Sequence, residues 1–453
     1  MAHDIENSHF LHYNLRSIAP MVERGEGIYL YDSSGKRYID GTSGPVVCNI
    51  GHGVKEIGET YAAQAEKVAY VFRSHFTSEP SEKLATMIAD MAPNGLDGVF
   101  FVSSGSEGTE MAAKIAHQYY LEQDNVRKEL IVSRWLSYHG ITMGALSMSG
   151  HVQRRKNYAN SLLPYPKIPI PNCYRCPENS HHPDCNLACA HRLKETIQMV
   201  GEEYISAFIA EPVVGAAAGA VVPPPEYYKI IRDICDEFDI LFIVDEVMTG
   251  FGRTGLNFGI EHWDVTPDMI VFAKGASAGY YPLAGVIISE KIFDVLKNGK
   301  KGIFAPGHTY SGTPMAGAVG CSVIEYMQKH RLIENVQNLS GYLEDQLKTL
   351  YSHKIVGDIR GKGFLWGIEF VKDQKTKEPF SEKQGGIVAD LISKTAFKNG
   401  LILYPGSGCV DGTLGDHTLV APPFIIEKQE IDEMVSIIDR SISEVEKGRQ
   451  EDI

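Results

Sequence analysis

A lysine closes one apolar run of this chain and two carboxylates close another. In Met269-Ile270-Val271-Phe272-Ala273-Lys274-Gly275 the lysine ends a hydrophobic stretch and is followed by Gly, Ala and Ser. Desolvation at such a point lowers an amine's pKa and favours the neutral form, which can attack an aldehyde. Most lysines are simply solvated, and this context alone separates Lys274 from the others. In Ile240-Leu241-Phe242-Ile243-Val244-Asp245-Glu246-Val247, adjacent strand residues point to opposite faces. Asp245 and Glu246 therefore cannot work as a paired acid and base, while Asp245 and Val247 share a side. A buried Asp is costly unless it meets a cation or strong donor, and a protonated ring nitrogen is one such partner. The plainer reading is an Asp capping local backbone.

Two further junctions carry unusual residues. Val102-Ser103-Ser104-Gly105-Ser106-Glu107 runs from strand to helix through small side chains, with Ser104 and Glu107 at capping-box spacing. Its bare N–H groups and hydroxyls suit a phosphate, or serve an ordinary helix cap. Ser137-Tyr138-His139-Gly140 follows another strand, where an aromatic ring can stack on a planar ligand or be a satisfied buried residue. The rival chemistry comes from Gly250-Phe251-Gly252-Arg253-Thr254-Gly255, which matches G-x-G-x-x-G and suggests an NAD-dependent oxidoreductase. Its context argues against that: Leu256-Asn257-Phe258-Gly259 continues irregularly instead of opening a helix, and the fingerprint ordinarily begins a domain.

Cys173-x-x-Cys176 and Cys185-x-x-x-Cys189, with His181 and His182 between them, lie in a Pro-rich stretch. Such spacings suit zinc, but the second pair falls on a helix start and the intervening loop is short. The reading adopted is an irregular surface loop with incidental thiols and no metal. A non-enzymatic cysteine-rich interaction protein leaves the other features unexplained.

The elements that must position these residues are read from periodicity. Strands are predicted at Val99 to Val102, Leu130 to Ser133, Ala207 to Ala210, Ile240 to Val244, Met269 to Ala273 and Gly285 to Ser289, with helices such as Glu107 to Leu121 and Tyr227 to Phe238 between them. Continuous apolar runs imply a parallel sheet buried on both faces, and α/β sheets bind ligands at the carboxyl ends of their strands. After Leu332 the pattern becomes α+β and closes on a helix, Glu430 to Lys447, with an apolar stripe. A hairpin is predicted at Gly27 to Tyr31 and Arg37 to Ile39 around Asp32-Ser33-Ser34-Gly35.

Length and composition agree. The 453 residues favour two or three domains, and 43% apolar with 22% charged residues is an ordinary globular balance. A net charge of −14 argues against nonspecific nucleic-acid binding. Met1 to Phe10 lacks the apolar stretch of a secretory signal, so a cytoplasmic location with reduced thiols is expected, and no apolar run approaches a membrane span.

Taken in order, Ser104-Gly105-Ser106-Glu107, Tyr138-His139-Gly140, Glu211-Pro212, Asp245-Glu246-Val247, Ala273-Lys274-Gly275 and His308-Thr309-Tyr310-Ser311-Gly312 resemble the class III, or omega, aminotransferases. These are fold-type I pyridoxal-phosphate (PLP) enzymes. The resemblance implies a large domain with a mainly parallel sheet at 61–335 and a smaller α+β domain built from 1–60 and 336–453. It implies that Lys274 holds PLP as a Schiff base and shuttles a proton, that Asp245 keeps the pyridine nitrogen protonated, and that Tyr138 and Val247 cover the two ring faces. His139 joins the cofactor residues. Gly105 and Ser106 bind the phosphate, Thr309 reaches it from a second subunit of a homodimer, and Glu211 stands near the ring hydroxyl.

The activity implied is transfer of an amino group from a primary amine or ω-amino acid to a 2-oxo acid, pyruvate or 2-oxoglutarate. Decarboxylases, aminomutases and epimerases of the same family are the alternative. Many relatives have Trp where Val46 stands and Arg where Tyr404 stands, two positions expected to line the substrate pocket. Without that arginine, the acceptor carboxylate is assigned to Arg154 or Arg155, whose forked donors match it, with Arg360 as rival.

Overall fold

The turn Asp32-Ser33-Ser34-Gly35 forms because Asp32 Oδ1 accepts the backbone N–H groups of Ser34 and Lys36, at 2.9 and 3.1 Å, while Gly35 takes the left-handed φ of +84°. This computed structural model describes residues 8–12, 14–16, 18–300, 302–304, 306–380 and 387–449. Met1 to Asn7, read above for a targeting signal, lies outside the described residues. The hairpin strands are β2 (Tyr29–Asp32) and β3 (Arg37–Asp40), with β1 (Val22–Glu26) pairing β2 on the outside.

The apolar runs become a seven-stranded sheet of β4 (Leu96–Val102), β5 (Leu130–Arg134), β6 (Lys167–Ile168), β7 (Ile205–Ala210), β8 (Leu241–Asp245), β9 (Met269–Phe272) and β10 (Ala284–Ser289). Their order across the sheet is β4-β10-β9-β8-β7-β5-β6. Every residue of β7, β8 and β9 is buried, as continuous apolar sequence requires of strands covered on both faces. The sheet is mainly parallel, with β10 running antiparallel to both β4 and β9. Strand β9 ends one residue before the predicted Ala273, because Lys274 at φ +45° turns the chain into a short 3-10 helix, Lys274–Ala276.

Among the helices, Gly105–Leu121, starting two residues before the predicted Glu107, buries Met111, Ile115 and Tyr119 against the sheet, and Tyr227–Glu237 stops one residue short of the expected Phe238. Beyond the large sheet, β11 (Val356–Lys362), β12 (Leu365–Phe370), β14 (Tyr404–Ser407) and β15 (Asp416–Val420) form an antiparallel sheet, while β13 (Leu401–Ile402) pairs parallel with β3. The closing helix, Lys428–Arg449, buries Ile431, Met434, Val435, Ile438, Ile442 and Val445. No helix among the described residues is long and apolar enough to cross a membrane.

Candidate active site

Strand ends β4, β5, β7, β8 and β9 open on one cavity, whose lining includes Gly105, Ser106, Tyr138, Glu211, Asp245 and Lys274. His139 and Val247 line it as well, so the strand-end reading brings together residues up to 169 positions apart in the chain (274 − 105).

Asp245 is 3% exposed and needs partners. His139 lies with Nδ1 2.8 Å from Asp245 Oδ2, and the Val247 N–H donates to Oδ1 at 3.1 Å. A carboxylate accepts only, so Nδ1 carries the imidazole proton toward it. His139 is held in turn by its backbone N–H, which donates to Ser149 Oγ at 2.7 Å. Its Nε2 is a buried atom without a hydrogen-bond partner among the described residues.

Glu211 lines the same cavity. Its oxygens accept from Tyr138 N–H at 3.0 Å and Gly215 N–H at 2.9 Å, while burial, reinforced by Asp245, raises its pKa above the ordinary carboxylate value. The Lys274 amine is pushed down to about 8 by desolvation, with Asp245 and Glu211 opposing the shift. Lys274 also holds a left-handed φ that an L-residue adopts at a cost, which aims its side chain out of the sheet and into the cavity.

At the phosphate-like corner the Gly105–Leu121 helix begins with Ser104 Oγ accepting the Glu107 N–H at 3.3 Å. Glu107 Oε2 reaches back to Ser103 N–H, one residue before the expected capping-box position. A Cβ on Gly105 would come to 3.0 Å from Val247 Cγ2, so glycine keeps open a concavity between helix start and β8. Exposed first-turn N–H groups, a hydroxyl at Ser106 and the helix dipole together favour a dianion there. A phosphate-suited helix start, a buried Asp245 carboxyl, the Tyr138 ring and the Lys274 amine, all on one cavity, fit PLP.

Other predicted residues fall less uniformly. Tyr138 is half-buried with Arg154 5.2 Å from its ring centroid and His151 edge-on at 6.2 Å. Arg154 and Arg155 occupy a short helix, Val152–Arg155. Arg155 Nη1 donates to the carbonyls of Leu146, Ser147 and Ser149 at 2.7–3.0 Å, so its guanidinium caps a helix end. Arg360 is similarly engaged, with Asp358, Glu369 and the Ala218 carbonyl. Tyr404 opens β14 and acts electrostatically on Tyr138. Val46 is 2% exposed in a kinked segment, at φ +63°, and does not line the cavity of its own chain. Thr309 is exposed and also absent from that lining, although its neighbour His308 lies 3.3 Å from Glu107.

Sequence reasoning missed His151 as a neighbour of Tyr138, and Met248 and Val213 in the wall; no local pattern distinguishes them. It also missed the work of the Gly250–Gly255 run. Arg253, fully buried, donates to the carbonyls of Phe364 and Pro422 and to Asn49 Oδ1, binding the large sheet's loop to the carboxyl-terminal part of the chain. Among the thiols, the expected surface position fails for Cys189, which is 7% exposed because its helix packs it into the core.

Such a sheet, with a lysine, an aspartate and a helix start converging at its strand ends, defines a PLP-dependent enzyme of fold type I. More narrowly, residues 12–442 match the model of the class-III aminotransferases, and the chain belongs to that family. It is 42% identical to an uncharacterized aminotransferase, YodT, of Bacillus subtilis, over 98% of this chain and all of that one. A putrescine–pyruvate aminotransferase of Pseudomonas aeruginosa is 34% identical, covering 94% of this chain and 91% of its own length. The solved structure of an (S)-enantioselective omega-transaminase from Thermomicrobium roseum superposes with a TM-score of 0.90 at 35% identity, covering 98% of this chain and 97% of that one.

Proposed function

We propose that this aminotransferase takes its amino group from a primary amine or ω-amino acid, gives it to a monocarboxylic 2-oxo acid such as pyruvate, and uses the residues above in the following roles. The observation that carries the reading is the Lys274 amine lining one cavity with Asp245, Glu211 and Tyr138. The putrescine–pyruvate relative supports the choice of partners.

When bound, PLP supplies an aldehyde for the amino group and a conjugated ring that accepts the electron pair left when the substrate Cα–H bond breaks. Lys274, its amine pushed down to about 8, would hold the aldehyde end of the group and would take and return the proton at the substrate Cα. Asp245, oriented by His139 and Val247 N–H, would hold a proton at the ring nitrogen. Tyr138 and Val247 bound the two faces of the slot, and Gly105 with Ser106 binds the phosphate. Glu211 stands as the acid beside the ring hydroxyl. Arg154, whose guanidinium, unlike those of Arg155 and Arg360, meets no carbonyl or carboxylate among the described residues, pairs with the acceptor's carboxylate above Tyr138. A homodimer completes each site, with Thr309 from a second subunit reaching the phosphate.

A panel of amines, ω-amino acids and α-amino acids tested against pyruvate and 2-oxoglutarate checks the reaction, with amino transfer to pyruvate expected. Borohydride reduction of the loaded enzyme should leave a pyridoxyl group on Lys274, and Lys274→Ala should stop turnover. A different labelled lysine would overturn the assignment.

A further inference from the structure

The segment carrying Cys173 to Cys189 takes no part in this site, and its construction calls for an explanation of its own. From Pro169 to Leu187 the backbone forms turns without helix or strand, with Asn179, Asn186 and Leu187 in the left-handed region. Such a stretch has little core of its own to hold it. Polar clamps fix its two halves. Arg175 Nε donates to Glu369 Oε1 at 2.6 Å and its Nη2 to the Lys377 carbonyl at 2.9 Å, while Lys377 Nζ donates to the Tyr174 carbonyl at 2.7 Å. The Cys173-Tyr174-Arg175-Cys176 turn is thereby seated on β12 and the turn after it.

In the second half, Cys185 N–H donates to the His181 carbonyl at 2.8 Å, and Cys189 sits in the first turn of the Ala188–Val200 helix. A two-bond fork from Arg192 to Glu178, at 2.7 and 2.9 Å, folds the residues just after Cys176 onto that helix. The two cysteine pairs are therefore brought together by contacts that do not involve sulfur. They are close enough that Cys176 and Cys185 act electrostatically on Cys173, and all three act on Cys189. All four are free thiols, grading from exposed Cys173 through half-buried Cys176 and Cys185 to buried Cys189.

We propose that Cys173, Cys176, Cys185 and Cys189 form a tetrathiolate site for zinc, a site separate from the catalytic cavity that pins this segment between the helices of the large sheet and β12. Pairs separated by two and three residues fall within the spacing of tetrahedral zinc ligands, and the polar clamps bring the two pairs together although the second opens a helix. No three of the sulfurs fall within 4.8 Å of one another. Three lie on exposed or half-buried positions, where rotation about χ1 between staggered wells is free to close the shell. Binding releases the four thiol protons to solvent and changes no oxidation state. By contrast, Asp40, Cys48 and His52 do bring donor atoms within 4.8 Å. There Asp40 already accepts the Gly44 N–H and pairs with His52, and the Arg253 guanidinium acts on Asp40 and Cys48, so a cation is already supplied.

The full chain, purified under reducing conditions from zinc-supplemented cells and desalted, should carry about one zinc per chain by elemental analysis. Cys173→Ser with Cys176→Ser, two changes outside the core, should lose it while keeping the elution volume and PLP absorbance of the parent. Cobalt reconstitution of the unaltered chain should give thiolate charge-transfer bands and the intense visible bands of tetrahedral cobalt. Substoichiometric zinc after reconstitution with zinc and reductant, cobalt without those bands, iron with acid-labile sulfide, or a disulfide within this quartet in alkylated protein would each overturn the proposal.

Discussion

Asp245 shows how one residue's value depends on neighbours far away in the chain. Its position at the end of a buried run was legible, and so was the need for a partner; that His139, 106 positions earlier, would be the group behind it was not. Proximity of that kind is set by β5 and β8 lying in one sheet, which no local spacing encodes. If Asp245 stabilises a proton on the ring nitrogen, Asp245→Asn should retain fold and PLP but lose about 10²-fold or more in kcat. Near-normal turnover in a loaded variant would sink that role. The arginines teach the same lesson. Arg154 and Arg155 are equivalent as sequence, yet three carbonyls claim Arg155 and leave Arg154 over Tyr138. Arg154→Ala should raise KM for pyruvate by roughly 10–100-fold, the worth of a hydrogen-bonded charge, while sparing the half-reaction with a simple amine. Oxo-acid kinetics unmoved by this change would remove Arg154 from that role.

At the scale of elements, β8 sends Asp245 into the cavity and Glu246 to the opposite side, as strand geometry requires. Glu246 is 1% exposed and accepts the Thr249 hydroxyl and the backbone N–H groups of Gly259 and Ile260, the latter two at 2.9 and 2.8 Å. It thereby ties the end of β8 to the 3-10 helix Gly259–Trp263. Removing the acceptor orphans two buried amides, so Glu246→Ala should cost ~2–6 kcal/mol in denaturant unfolding. Burial pushes this carboxyl up from 4.5 to about 7. Because the folded pKa is the higher one, the folded state binds the extra proton; the associated stability is complete below about 4.5 and is lost as pH rises through 7. Melting temperature should therefore fall between pH 6 and pH 8 in the parent and fall less in Glu246→Gln; equal slopes would remove Glu246 as the source. Strand positions and the helix stripe were readable from periodicity. The antiparallel setting of β10 was not, since strand direction depends on which neighbour satisfies its backbone.

For the whole molecule, the proposed dimer makes a demand that one chain cannot meet. Thr309 is exposed on its own subunit, in a region where Phe72, Phe76 and Tyr310 are each more than half exposed, large apolar groups that a partner surface would cover. Co-expressing a Lys274→Ala chain with a Thr309→Ala chain should give heterodimers in which one site carries both defects and the other neither, restoring about half the parent activity per dimer. Given a clearly impaired Thr309→Ala parent, heterodimers without recovered activity would show that Thr309 acts within its own chain. What the sequence by itself determined is the run of buried central strands, their punctuation and which residues stand at their carboxyl ends, because burial pattern and strand-end position are local properties carried by consecutive residues. Tertiary structure alone decided that His139 backs Asp245, that Arg253 makes the glycine-rich run a clamp joining the large sheet's loop to the carboxyl-terminal part, and that Arg155 is occupied while Arg154 is left over Tyr138. Each of those outcomes turns on which buried donor meets which acceptor, and that pairing exists only once distant segments are packed into the same low-dielectric space.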